Sequence, residues 1–127
     1  MAQSGRRLRV LIVEDESLVA MLVEDMLMEL GHEIVAVAGR LDDAVANARE
    51  AEFDIAIVDL NLNGQRTDAV AEILTDRRVP FVFATGYGFA GVRAEWAHAP
   101  VVQKPFQASE LGQAIEAALQ ASGNRGA

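Results

Sequence analysis

Three features of the sequence predict a doubly wound α/β domain, a five-stranded parallel sheet carrying five helices. Five short apolar runs, at residues 8–13, 33–37, 55–58, 80–84 and 101–103, punctuate a chain of 127 residues. They are rich in Val, Ile and Phe and mostly continuous rather than alternating, which suits strands covered on both faces. The intervals between them are helix-sized, and no linker or low-complexity stretch interrupts the alternation.

After the first run, residues 17–30 place Val19, Leu22, Val23, Met26, Leu27 and Leu30 on one helical face, with Ser17 as the expected N-cap and Gly31 at the stop. A second helix over 41–51 opens with Asp42 and Asp43, favourable at the positive helix end, and aligns Leu41, Ala44, Val45 and Ala48. The third, over 67–78, carries Val70, Ile73 and Leu74 and closes on Arg77 and Arg78, suited to the negative end of that helix. Between 85 and 100 stand Gly86, Gly88 and Gly91, each costing about 0.8–1 kcal/mol in a helix relative to Ala. A short, loosely held fourth helix is expected there. The fifth spans 109–120 with Leu111, Ile115 and Leu119 inward, and Gly123 is expected to release the tail.

In such a sheet, with strand order 2-1-3-4-5, ligands bind beyond the carboxyl ends of the strands where the order reverses. The first run ends in Glu14, Asp15 and Glu16, the third in Asp59, the fourth in Thr85 and the fifth in Lys104 and Pro105. Singly, each has an ordinary explanation as a solvated turn or capping residue; together they bring polar groups from four strands to one rim. Clustered carboxylates repel one another unless a cation intervenes, and an oxygen-only ligand set with positions left for water and phosphate favours Mg²⁺. Thr85 offers a hydroxyl and Lys104 a compact positive charge for a phosphoryl group. Asp59, on the central strand between metal and lysine, is the expected site of phosphorylation.

Composition narrows the function. With 19 acidic and 11 basic side chains the net charge is −8, which gives no electrostatic footing on nucleic acid or anionic lipid. No cysteine is present, excluding disulfides and thiolate metal sites and fitting a cytoplasmic protein. The polar, basic first nine residues and the short apolar run after them do not make a signal peptide or a spanning helix.

This set of residues, Glu14-Asp15, Asp59, Thr85 and Lys104-Pro105-Phe106 in order with helix-length gaps, resembles the response regulator receiver domains of two-component signalling, which have a flavodoxin-like (CheY-like) fold. The segments Pro80-Phe-Val-Phe-Ala-Thr-Gly-Tyr-Gly88 and Asp59-Leu-Asn-Leu-Asn63 look like those of single-domain receivers named for a Phe-Ala-Thr-Gly-Tyr motif. The resemblance implies a receiver over 7–121, short polar tails at 1–6 and 122–127, and no output domain. It implies that Asp59 takes a phosphoryl group from a sensor histidine kinase or histidine phosphotransfer protein, and that an unidentified downstream protein reads the result. Mg²⁺ would be held by Asp15, Asp59, the Asn61 carbonyl, and Glu14 directly or through water. Lys104 and the Asn61 and Gly86 amides would hold the phosphoryl oxygens, Thr85 would turn toward them, and the Lys104-Pro105 bond is a candidate cis peptide. A monomer is expected, with dimerisation on phosphorylation as the alternative.

Some positions depart from the family pattern. Asn63 stands where a proline is frequent and, with Gly64, suggests a pliable turn. Val101 replaces a common aromatic switch, leaving Tyr87, the only tyrosine, as the candidate substitute. Met21 and Met28, a heptad apart opposite the apolar face of the first helix, are candidates for kinase docking, against the plainer reading of scattered surface methionines. Three rivals are weighed. A haloacid-dehalogenase-like phosphatase would need an Asp-x-Asp pair where Asn61 stands. A nucleotide or flavin binder would need a glycine-rich first turn in place of Glu14-Asp15-Glu16. A phosphorylation-independent interaction domain is disfavoured by the complete acid, Thr and Lys set.

Overall fold

The computed structural model describes residues 6–86 and 91–126. In chain order its elements are β1 (Arg9–Val13), α1 (Ser17–Glu29), β2 (Glu33–Ala38), α2 (Leu41–Glu50), β3 (Ile55–Asp59), β4 (Asn61–Leu62), β5 (Gln65–Arg66), α3 (Asp68–Asp76), β6 (Phe81–Thr85), a 3-10 turn (Ala94–Trp96), β7 (Val101–Gln103) and α4 (Ala108–Gly126). The main sheet is five-stranded and parallel in the order β2-β1-β3-β6-β7, the expected doubly wound topology.

The apolar runs are continuous because the central strands have no solvent face: every residue of β3 and β6 is buried. The sheet divides two cores. Leu11, Val13, Val58, Phe81 and Phe83 pack with α2, α3 and Trp96, while Val10, Ile12, Ile57 and Val82 pack with Val23 and Leu27 of α1 and Leu111 and Ile115 of α4. Edge strand β2 exposes Glu33, Val35 and Val37. Register carries the strands to one rim: Val13 pairs with Val58, Asp59 with Ala84, and Thr85 with Gln103. Among the described residues no helix is long and apolar enough to cross a membrane.

The structure corrects several local expectations. There are four α-helices among the described residues, against five expected; residues 87–90 lie outside them, and the described part of the fourth interval carries the 3-10 turn. Its glycines disfavour a continuous helix, and the burial of Trp96 holds the turn instead. In α1, Ser17 is the first helical residue and Glu16 the extended cap, with no side-chain capping bond. Leu22, expected inside, is 57% exposed, because the buried stripe of α1 is the narrower Ala20, Val23 and Leu27. The last helix continues through Gly123 to Gly126; one glycine costs about 1 kcal/mol, too little to end a helix alone. Arg77 caps another helix: its guanidinium donates to the carbonyls of Ala48 and Ala51 at the end of α2.

Both α1 and α3 end in the same motif. The amides of Gly31 and His32 donate to Met28 and Leu27, and those of Arg78 and Val79 to Thr75 and Leu74. The motif requires a left-handed residue, supplied by Gly31 at φ 92° but by Arg78, a non-glycine, at φ 61°.

Candidate functional site

The site begins where ladder bonding runs past the strands. The amide of Glu14 donates to the Ala38 carbonyl at 3.0 Å and that of Lys104 to the Thr85 carbonyl at 2.8 Å, so both residues leave the sheet in fixed directions. Asp59 ends β3 between them. The Lys104 ammonium donates to Glu14 Oε1 at 2.8 Å and to Asp59 Oδ2 at 3.0 Å. Carboxylate oxygens of Glu14, Asp15 and Asp59 lie within 4.8 Å of one another.

Asp59 is held at three oxygens. Its Oδ2 accepts from Lys104, its Oδ1 from the Asn61 amide at 3.2 Å, and its carbonyl from the buried Thr67 hydroxyl at 2.6 Å. Asp15 Oδ2 accepts the Asn63 amide at 3.0 Å, and Glu14 Oε2 accepts the Glu16 amide at 3.1 Å. Burial pushes the Glu14 carboxyl above its ordinary value and the Asp59 charge adds to this, with Lys104 and the Glu16 amide in partial opposition. Burial also disfavours the Lys104 charge, but its hydrogen bonds to Glu14 and Asp59 prevail and the ammonium is held more firmly than in free lysine.

The sequence profile of the response regulator receiver domain matches residues 10–116. The chain is a response regulator receiver domain. It is 39% identical over 115 residues to the transcriptional regulatory protein PdtaR of Mycobacterium tuberculosis, an alignment covering 87% of this chain and 56% of PdtaR. The chain thus spans about half the length of that curated relative. Among solved structures, SdrG of Sphingomonas melonis Fr1 superposes with a TM-score of 0.81 at 39% identity, covering 89% of this chain and 97% of SdrG. The anti-anti-sigma factor PhyR of Bartonella quintana gives a TM-score of 0.79 at 32% identity, covering 97% of this chain and 52% of PhyR.

The donor set of this receiver domain fits a hard divalent cation. All three side chains offer carboxylate oxygen, the donor type that such a cation takes. The sequence-selected residues Glu14, Asp15, Asp59 and Lys104 are brought together. Thr85 lies buried at the end of β6 and Gly86 follows in an exposed turn, where an added Cβ would meet nothing within 4 Å. The Asn61 side chain accepts the Gly64 amide at 2.8 Å. The Lys104-Pro105 peptide is cis. Tyr87 lies outside the described residues. Met21 and Met28 stand apart from the rim on α1, 58% and 56% exposed.

Sequence reasoning missed two parts of this receiver. One is Thr67, read only as the start of a helix, whose hydroxyl fixes the Asp59 backbone. The other is the β4–β5 hairpin, in which Asn61 pairs with Arg66 and Leu62 with Gln65. Its signal was present: Asn63 and Gly64 have φ of 52° and 85°, the two positive angles of the tight turn that Asn-Gly favours.

Proposed function

We propose that this receiver domain is a two-component response regulator that accepts a phosphoryl group on Asp59 in a Mg²⁺-dependent reaction. The donor is a phosphohistidine of a sensor histidine kinase or histidine phosphotransfer protein. An Asp59 carboxylate oxygen attacks phosphorus, the P–N bond to the donor histidine breaks, and the imidazole leaves with its electron pair. The observation that carries this reading is the Lys104 ammonium on Asp59 Oδ2, with Glu14 and Asp15 oxygens within 4.8 Å of the Asp59 carboxylate.

Each residue has a role in position or charge, the usual basis of phosphoryl transfer. The Asn61 amide and Thr67 hydroxyl aim Asp59, and Lys104 meets the incoming phosphoryl oxygens together with the Asn61 and Gly86 amides. Glu14, Asp15, Asp59 and the Asn61 carbonyl are the residues that would hold Mg²⁺. The ion supplies positive charge against the charge spread over those oxygens. Thr85 turns toward the new phosphate, and the product is read as a shift between two conformations.

The donor docks on α1. Large apolar side chains exposed in the described structure lie on this helix, at Leu18, Met21, Leu22 and Met28, and on β2, at Val35 and Val37. A groove of about 300 Å³ runs from Val19, Leu22 and Met26 to Pro105 and Phe106, ending at Lys104. Replacing Met21 and Met28 by Lys slows transfer from the kinase and spares a small phosphodonor; equal slowing with both donors would sink this docking role. Because PdtaR is named a transcriptional regulatory protein and the Bartonella PhyR an anti-anti-sigma factor, we place the downstream partner in transcriptional control, met as a protein rather than as DNA. The proposal is tested by adding beryllofluoride with Mg²⁺ and following the amide resonances of residues 14, 15 and 59–61. Saturable shifts lost in Asp59→Asn support it; unchanged shifts in that variant refute it.

A further inference from the structure

We propose that Arg66 couples the state of the acidic site to the segment 91–96, a role that rests on Asp59 being the phosphoacceptor. The β4–β5 hairpin is the link. It is braced across its turn by the Asn61 side chain on the Gly64 amide at 2.8 Å and anchored by buried Leu62, so it moves as one piece. It reports on the site: the Asn61 amide donates to Asp59 Oδ1 at 3.2 Å and the Asn63 amide to Asp15 Oδ2 at 3.0 Å. A ligand that takes charge from these two carboxylates weakens both bonds at once.

Directly across the hairpin from Asn61 stands Arg66. Its guanidinium grips Asp68 through two bonds of 2.6 and 3.3 Å and donates to the Gly91 carbonyl at 2.9 Å. Asp68 in turn accepts the Trp96 indole N–H at 3.0 Å and lies 3.3 Å from the Arg93 guanidinium. The segment is packed closely on the residue that follows the phosphoacceptor: a Cβ on Gly91 would lie 3.0 Å from Leu60 Cδ1. A shift of the hairpin therefore reaches Gly91 through Arg66 and Trp96 through Asp68. A packed contact of this kind has discrete arrangements rather than a continuous range.

Trp96 is the only tryptophan and is itself the reporter. In the wild type, Mg²⁺ with beryllofluoride changes its fluorescence in step with the Asp59 and Asn63 amide shifts. Arg66 is exposed, so Arg66→Met leaves the fold intact, as its melting temperature checks. This variant should bind the probe within about twofold of wild type while losing about two-thirds or more of the Trp96 response, and Arg66→Lys, without the planar fork, should fall between. A full Trp96 response in Arg66→Met overturns the coupling. So does loss of probe binding in that variant, which would make Arg66 part of the site. A wild type that binds no probe overturns the phosphoacceptor reading, and this inference with it.

Discussion

Replacing Lys104 by Met tests what holds the acidic site together. The ammonium lies 2.8 Å from Glu14 Oε1 and 3.0 Å from Asp59 Oδ2. At an effective dielectric of about 20, each such contact is worth about 5–6 kcal/mol. Withdrawing the three ions from water costs several kcal/mol apiece, so the net loss is nearer the figure for breaking a buried pair, about 3–5 kcal/mol. With a fifth of the Lys104 side chain still in water, about 3 kcal/mol is expected, or about 10 °C in melting temperature for a domain of this size. The loss depends on pH. Glu14 has a raised pKa in the folded state, so its ionisation opposes folding as pH rises from the ordinary carboxylate range through that raised value. Removing Lys104 enlarges this penalty, so Lys104→Met should be most destabilised near pH 8, and the gap to wild type should narrow as Glu14 protonates, leaving the share that the Asp59 contact contributes. Mg²⁺ should recover more stability in the variant than in the wild type. Thermal melts at several pH values, with and without Mg²⁺, measure all of this. A loss equal at both ends of the range and indifferent to Mg²⁺ would refute the argument.

Thr67→Val deletes the 2.6 Å bond to the Asp59 carbonyl and should cost about 1–2 kcal/mol, with slower labelling by acetyl phosphate, while Thr67→Ser keeps both properties. Labelling at the wild-type rate in the Val variant would show that the hydroxyl does not position Asp59. Arg78→Gly relieves a left-handed residue and should stabilise by about 0.5–1 kcal/mol after glycine's own entropy cost; a lowered melting temperature would contradict this. Burial holds the His32 imidazole below its ordinary pKa, Glu116 opposing, and its Nδ1 accepts the Leu8 amide at 3.1 Å. The unfolded chain therefore takes up that proton first, from about pH 6.5 downward, and stability falls as pH drops below this value. His32→Gln should flatten the decline between pH 7 and 5; a profile parallel to wild type would exclude His32 as its source.

The main sheet was legible because a strand buried on both faces has to be apolar throughout, as 55–58 and 80–84 are, and because polar residues then mark where each strand ends. That is also why Glu14, Asp15, Asp59, Thr85 and Lys104 could be selected before any geometry was known. The hairpin was not read, since two-residue strands carry no periodicity and only Asn63-Gly64 announced it. Arg66, Asp68 and Arg93 look like surface charge in sequence, and their meeting with Trp96 and Gly91 depends on contacts across 25–28 positions. Leu22 was misplaced because the apolar stripe of α1 is wider than the strip the sheet covers. The excess apolar residues face outward, where the donor is proposed to dock.

Mg²⁺-dependent labelling by acetyl phosphate, read as the gain of one phosphoryl group in the intact protein's mass, tests the central assignment most directly. Labelling of the wild type should require Mg²⁺ and disappear in Asp59→Asn. Labelling that survives in Asp59→Asn, or that proceeds equally with Mg²⁺ chelated, would contradict that assignment.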